Sequence, residues 1–167
     1  MINIDKLKLI LWDFDDTLCI HTDHSGSKED DLLYHVEMLS GKNAFASGQP
    51  NEQIKTFIQF ANGKGIKQGL ISAAMSYQHM IRKEKWVKDN YDITLVNYCV
   101  GKRKDKIDML IAIGETFAYQ EAAILIVDDN WETLVEAANY GFQACTPMEI
   151  VNYVNNMESF EKESINS

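Results

Sequence analysis

The stretch 6–20, KLKLILWDFDDTLCI, constrains the chain more than any other. Leu7, Leu9, Ile10, Leu11 and Trp12 make an apolar run that fits a strand buried on both faces, and the run stops at three carboxylates, Asp13, Asp15 and Asp16. In open parallel sheets, ligands bind beyond the carboxyl ends of the strands, so this order puts Asp13 and Asp15 on the floor of a crevice. Alternation along an extended chain sends Asp13 and Asp15 to one side and Phe14 into the packing. Two carboxylates on one side repel each other unless a cation lies between them, and oxygen donors select a hard metal such as Mg²⁺.

The rest of the chain repeats the strand-and-acid pattern. Residues 122–127 (AAILIV) form a second apolar strand that runs into Asp128 and Asp129, and 66–72, 93–100 and 142–145 are further strand segments. Helices are predicted over 27–39, 51–62, 76–90, 105–114 and 132–140, with a last one opened by Pro147. Asn51 is the N-cap of the second, whose inner face is Ile54, Phe57, Ile58 and Ala61. Tyr77, Met80, Ile81, Lys85 and Trp86 share helical spacing in the third. Strands alternating with helices predict an α/β fold, a doubly wound, mainly parallel sheet flanked by helices. A length of 167 residues gives one domain, expected over 1–157, with 20–50 as a polar, Gly-containing insertion and 158–167 as a fraying tail.

Composition narrows the partners. A net charge of −9 argues against a surface for non-specific binding of duplex nucleic acid or anionic lipid. Cys19, Cys99 and Cys145 are odd in number and far apart, as expected of reduced thiols. The first apolar run is short and ends in acids, unlike a signal peptide, and no run spans a bilayer, so a soluble cytoplasmic protein is expected.

Four strand ends thus present, in order, Asp13 and Asp15, then Ser72, then the lysines after Val100, then Asp128 and Asp129. A nucleophile, a proton donor, a hydroxyl and a cation for phosphate oxygens, and acids for Mg²⁺ are what transfer of a phosphoryl group to a carboxylate needs. In these motifs, DFDDTL, LISAAM, GKRKDKIDML and ILIVDDN, the chain resembles the haloacid dehalogenase superfamily, from about Leu7 to Ala144. The resemblance implies that Asp13 attacks phosphorus to form an aspartyl-phosphate, and that Asp15 protonates the leaving oxygen and then activates water. It further implies that Thr17 fixes the loop and belongs with the substrate-binding set, that Ser72 and a lysine hold the phosphate oxygens, and that Asp13, the Asp15 main-chain carbonyl, Asp128 and Asp129 hold Mg²⁺. Lys106, one helical turn before Leu110, is preferred for that lysine, with Lys102 and Lys104 as alternatives.

Two positions depart from the family pattern. Asp16 stands where a Gly is more common, and is expected to take the turn and face away from the metal; Val127 replaces the usual Gly before the last acids, as in the small magnesium-dependent phosphatase branch. His21 and His24, just past the acidic loop, are read as exposed loop residues or substrate contacts, His35 and His79 have no supporting context, and Tyr34, Met38 and Phe45 are read as local packing.

The resemblance therefore implies a Mg²⁺-dependent phosphomonoesterase. Asp15 separates it from the dehalogenases of the superfamily, which use no acid there. The short insertion is like that of uncapped members, which admit a macromolecular end or borrow a neighbour's surface in a homo-oligomer; alternatively 20–50 is a miniature lid over a nucleotide or sugar phosphate. A non-hydrolytic phosphate- or metal-binding domain, or a phosphoryl-accepting regulatory one, is the rival from another class, although the order of motifs differs from that of receiver domains.

Overall fold

Every residue of Leu9–Trp12 (β1) is buried, and this strand forms the centre of a five-stranded parallel sheet. The structure, a computed structural model, describes residues 2–21, 28–40, 45 and 47–165. In chain order β1 is followed by β2 (Cys19–Ile20), α1 (Lys28–Leu39), β3 (Gln49–Pro50), α2 (Glu52–Gly63), β4 (Lys67–Leu70), α3 (Tyr77–Tyr91) and β5 (Val96–Asn97). Then come α4 (Lys106–Phe117), β6 (Ile124–Val127), α5 (Trp131–Asn139), β7 (Gln143–Cys145) and α6 (Pro147–Ile165).

The sheet order is β5-β4-β1-β6-β7, with every pairing parallel. The chain winds outward from β1 through β4 to β5, then crosses back to lay β6 and β7 on the other side. That reversal beside β1 is the topological switch point, where a crevice opens at the carboxyl ends. Trp12 lies level with Leu70 and Val127, so Asp13, Ile71 and Asp128 leave the sheet at one height.

Both faces of the sheet are covered, which is why its strands read as unbroken apolar runs. Ile10, Trp12, Leu70, Leu125 and Val127 pack on one side with Ile54, Phe57, Trp86, Val87, Ile150 and Val154 from α2, α3 and α6. Leu9, Leu11, Ile71, Ile124 and Ile126 pack on the other with Ile107, Leu110, Leu134 and Ala137 from α4 and α5. Each of the valine, leucine, isoleucine and phenylalanine side chains contributes ~1.5–3 kcal/mol on burial. The one polar side chain of β4 on the first side, Gln68, is fully used: it accepts from Trp12 Nε1 (2.9 Å) and donates to Ile58 O (3.0 Å) and Asn62 Oδ1 (2.6 Å).

The predicted elements differ from the observed ones in instructive places. Strand 93–100 shrinks to Val96–Asn97, since β5 is an edge strand with one neighbour to pair with. The inner face of α3 is His79, Lys83, Trp86, Val87 and Tyr91, whereas Tyr77 is 69% exposed and Ile81 and Lys85 also lie outside. The N-caps Asn51 and Ser76 each accept a backbone N–H of the following turn. A two-residue antiparallel ribbon, Cys19↔Pro50 and Ile20↔Gln49, joins the ends of the insertion. Tyr91 secures both: its hydroxyl donates to Leu18 O (2.6 Å) and accepts from Asn51 N (2.9 Å). His24 falls outside the described residues, as do the side chains of His35 and Met38.

The acidic loop is a compact turn. Phe14 O accepts from Leu18 N (3.0 Å) and Cys19 N (2.8 Å), and Asp16 N donates to Cys19 O (2.9 Å). Closing it puts Asp16 at φ 53°, left-handed backbone that Asp tolerates because its short side chain bonds locally, here from His21 N to Oδ1 at 3.4 Å. The expectation that Asp16 takes a glycine's turn therefore holds. Asp16→Gly should unfold in urea at the parent midpoint or slightly above it, while Asp16→Val should cost about 1–2 kcal/mol.

Candidate active site

Asp13 ends β1 and is almost wholly buried, with Oδ1 2.9 Å from Lys106 Nζ. Lys106 opens α4 after a 3₁₀ turn, Arg103–Asp105, and is only 1% exposed. Its ammonium also donates to Asp128 Oδ2 at 2.6 Å. Burial alone would lower the Lys106 pKa, but the charges of Asp13 and Asp128 outweigh it and raise it. Lys102 and Lys104, the alternatives from sequence, are exposed.

Asp128 leaves the buried end of β6, and its Oδ1 accepts from Asn130 N (2.9 Å), while Asn130 caps α5. Asp13, Asp128 and Asp129 each bring one carboxylate oxygen to within 4.8 Å of the others. Desolvation and then the charges of Asp13 and Asp128 push Asp129 up to about 6 although it lies at the surface. Asp128 is raised as well, by burial and by Asp13. Three acids facing one lysine leave net negative charge, and hard oxygen donors so placed fit a divalent cation such as Mg²⁺.

Asp15 belongs to a different group of contacts, which corrects the simple alternation argument for a single cation between Asp13 and Asp15. Its side chain is 37% exposed, with Oδ2 2.6 Å from Lys83 Nζ. Oδ1 lies 3.0 Å from His21 Nε2 and accepts from the Tyr34 hydroxyl at 3.1 Å. Burial works to raise Asp15, but Lys83, with hydrogen bonds from His21 and Lys83, prevails and holds it well below the usual carboxylate range. Each of the two acids thus has its own lysine.

Ser72 follows β4 and is buried, with Oγ accepting from Lys83 Nζ at 2.8 Å. Thr17 is wholly buried inside the turn. Its Oγ1 has no hydrogen-bond partner among the described residues.

Sequence reasoning missed Lys83 and gave His79 and Tyr34 no place in the site. His79 Nδ1 accepts from Met75 N (3.3 Å), which puts the proton of a neutral ring on Nε2, 3.3 Å from the Tyr34 oxygen. Tyr34 therefore links α1 to both α3 and Asp15. Phe45 closes the same wall, 4.7 Å from the Phe14 ring centroid and stacked on His79 at 5.6 Å. The usable signal lay in α3: Trp86, Val87 and Tyr91 set its inner stripe, and His79 and Lys83 fall on that stripe at steps of four.

Among the described residues no helix is long and apolar enough to cross a membrane. No protein-family model and no curated protein matches the chain. Solved structures do. A hypothetical protein of Xanthomonas campestris aligns at TM-score 0.54 and 19% identity over 86% of this chain, which spans 66% of that protein. The N-terminal part of a Bacteroides fragilis protein, containing a phosphatase domain complexed with Mg, aligns at TM-score 0.60 and 12% identity, over 89% of this chain and 39% of that one. A HAD family enzyme from Bacteroides thetaiotaomicron, in complex with magnesium and inorganic phosphate, aligns at TM-score 0.55 and 11% identity, over 84% of this chain and 93% of that one. With its central β1 and parallel sheet order, this chain shares the α/β fold of these structures, among them a HAD family enzyme.

Proposed function

We propose that the chain is a Mg²⁺-dependent phosphomonoester hydrolase that works through an aspartyl-phosphate on Asp13. The observation that carries this reading is the confinement of Asp13 between Lys106 and the acids at the switch point, with Asp15 and Ser72 on adjoining strand ends. An Asp13 carboxylate oxygen attacks phosphorus, the ester P–O bond breaks, and the leaving oxygen takes a proton from Asp15. Water then gives a proton to Asp15 and attacks phosphorus, and the bond to Asp13 breaks, releasing inorganic phosphate. Lys106 and the Ser72 hydroxyl hold the phosphate oxygens.

In the resting site Lys83 keeps Asp15 as the carboxylate that the second half-reaction needs. A phosphate beside it adds negative charge and moves its proton affinity toward the donor form. Asp13, Asp128, Asp129 and the Asp15 main-chain carbonyl are the groups that would hold Mg²⁺, which when bound screens carboxylate from phosphate. The substrate is a phosphorylated small molecule or macromolecular end, and the free thiols of Cys19, Cys99 and Cys145 support a reducing compartment, the cytoplasm.

Phosphate release from p-nitrophenyl phosphate should require Mg²⁺, stop with EDTA, and fall about a thousandfold or more in Asp13→Asn. Undiminished turnover in that variant would rule out the nucleophile. A second expectation concerns pH. Because the folded protein raises Asp129 from 3.8 to about 6, it binds more protons than the unfolded chain over that interval, so the metal-free protein loses stability as pH rises through it. Mg²⁺ competes with that proton. The Tm gained on replacing EDTA with Mg²⁺ should therefore grow as pH passes from below to above about 6.

A further inference from the structure

Lys83 is the most deeply buried cation beside the site, at 0% exposure, and it lies outside the set of motifs from which the phosphatase reading was built. Its ammonium has three N–H donors, and three acceptors surround it: Asp15 Oδ2 at 2.6 Å, Ser72 Oγ at 2.8 Å and Ala73 O at 2.8 Å. The Phe14 ring closes a further side, its centroid 5.1 Å from Nζ. An ammonium with every proton engaged, and no surface open to solvent, has nothing left to offer a substrate.

What it does offer is direction. A serine hydroxyl has one proton and two acceptor positions. Since Lys83 fills an acceptor position of Ser72, the single Ser72 proton is turned away from the ammonium and is free to be donated into the crevice. The same ammonium holds Asp15 by Oδ2, which presents Oδ1 on the side of His21 and Tyr34. The bond to Ala73 O fixes the backbone just past β4, where Ala73 also bridges Val100. One charge thus sets the orientation of two groups carried on neighbouring strands, and it does so from α3, a helix that supplies neither of them. A compact ammonium suits three converging acceptors, while a planar guanidinium does not.

We infer that Lys83 is a positioning residue for the reaction, fixing the Ser72 hydroxyl as a donor to the transferring phosphoryl group and fixing the rotation of the Asp15 carboxylate. The inference rests on the phosphatase reading above. It predicts a loss in kcat rather than in substrate affinity, and a loss transmitted through Ser72 and Asp15.

The test is a double-mutant cycle on p-nitrophenyl phosphate with Mg²⁺, using the parent chain, Lys83→Met, Ser72→Ala and the double variant. Lys83→Met should lower kcat about 30–100-fold with KM within about threefold, and in the Ser72→Ala background its effect should shrink by about fivefold or more. If Lys83→Met does not fold, the cycle is run with Lys83→Arg, which keeps the charge but not the three converging donors, and the same shrinkage is expected. Parent-like kcat in the substituted protein, or an equal loss in both backgrounds, overturns the assignment and leaves the phosphatase reading intact. A folded parent without Mg²⁺-dependent turnover overturns the phosphatase reading itself and this assignment with it.

Discussion

Asp13, Asp128 and Asp129 bring carboxylate oxygens within 4.8 Å of one another at the end of an apolar sheet, and their repulsion is the constraint to which the surrounding structure answers. Lys106 answers part of it, by pairing with Asp13 and Asp128 from the first turn of α4. A lysine at a helix start opposes the helix dipole. Two carboxylates within salt-bridge distance more than offset that cost, which explains why the most cationic turn of the chain buries one of its lysines and leaves Lys102 and Lys104 in water. Burial of such a charge is stable only while its partners remain. The site and the α4 start therefore support one another.

Topology makes this gathering of charge feasible. Parallel pairing in register brings the ends of β4, β1 and β6 to one height, so acids and hydroxyl meet without a long loop to carry them. The left-handed Asp16 turns the chain back at once after Asp15, and Tyr91 ties the two ends of the insertion at Leu18 and Asn51. Local strain at one residue and one tyrosine hydroxyl thus define where the sheet core stops and the insertion begins.

Sequence alone revealed the parts of this design that depend on local pattern. The runs ending at Asp13 and Asp128 are apolar on both faces and stop abruptly at acids, which few folds other than a covered parallel sheet accommodate. Asn51 as a cap, and Asp16 as a turn residue, were legible because each solves a backbone problem within a few positions of itself. The remainder depends on partners distant in the chain. The ribbon of β2 and β3 has two residues a side and no pattern of its own, so only its position explains it. Lys83 was missed for a different reason: a lysine in a helix is ordinarily a solvated residue, and its burial is decided by Asp15 and Ser72, 68 and 11 positions away.

Tyr34 and Phe45, both from the stretch between β2 and β3, meet the site through side-chain contacts. Tyr34 from α1 reaches both Asp15 and His79, and Phe45 stacks on His79 and against Phe14. Tyr34, a packing residue by its sequence context, thus supplies a hydrogen bond to the acid on which proton transfer would depend. Because the Tyr34 hydroxyl donates to Asp15 Oδ1 while Lys83 holds Oδ2, the carboxylate is clamped from opposite elements, one in the insertion and one in the core helix α3. Through Tyr34, α1 touches Asp15 directly, whereas Asp13 pairs with Lys106 of α4 and lies beside Asp128 and Asp129 past the end of β6. The two acids of the DFDDT loop, two residues apart in sequence, therefore have separate partners: Asp13 pairs with Lys106 of α4, and Asp15 with Lys83 of α3, His21 and Tyr34.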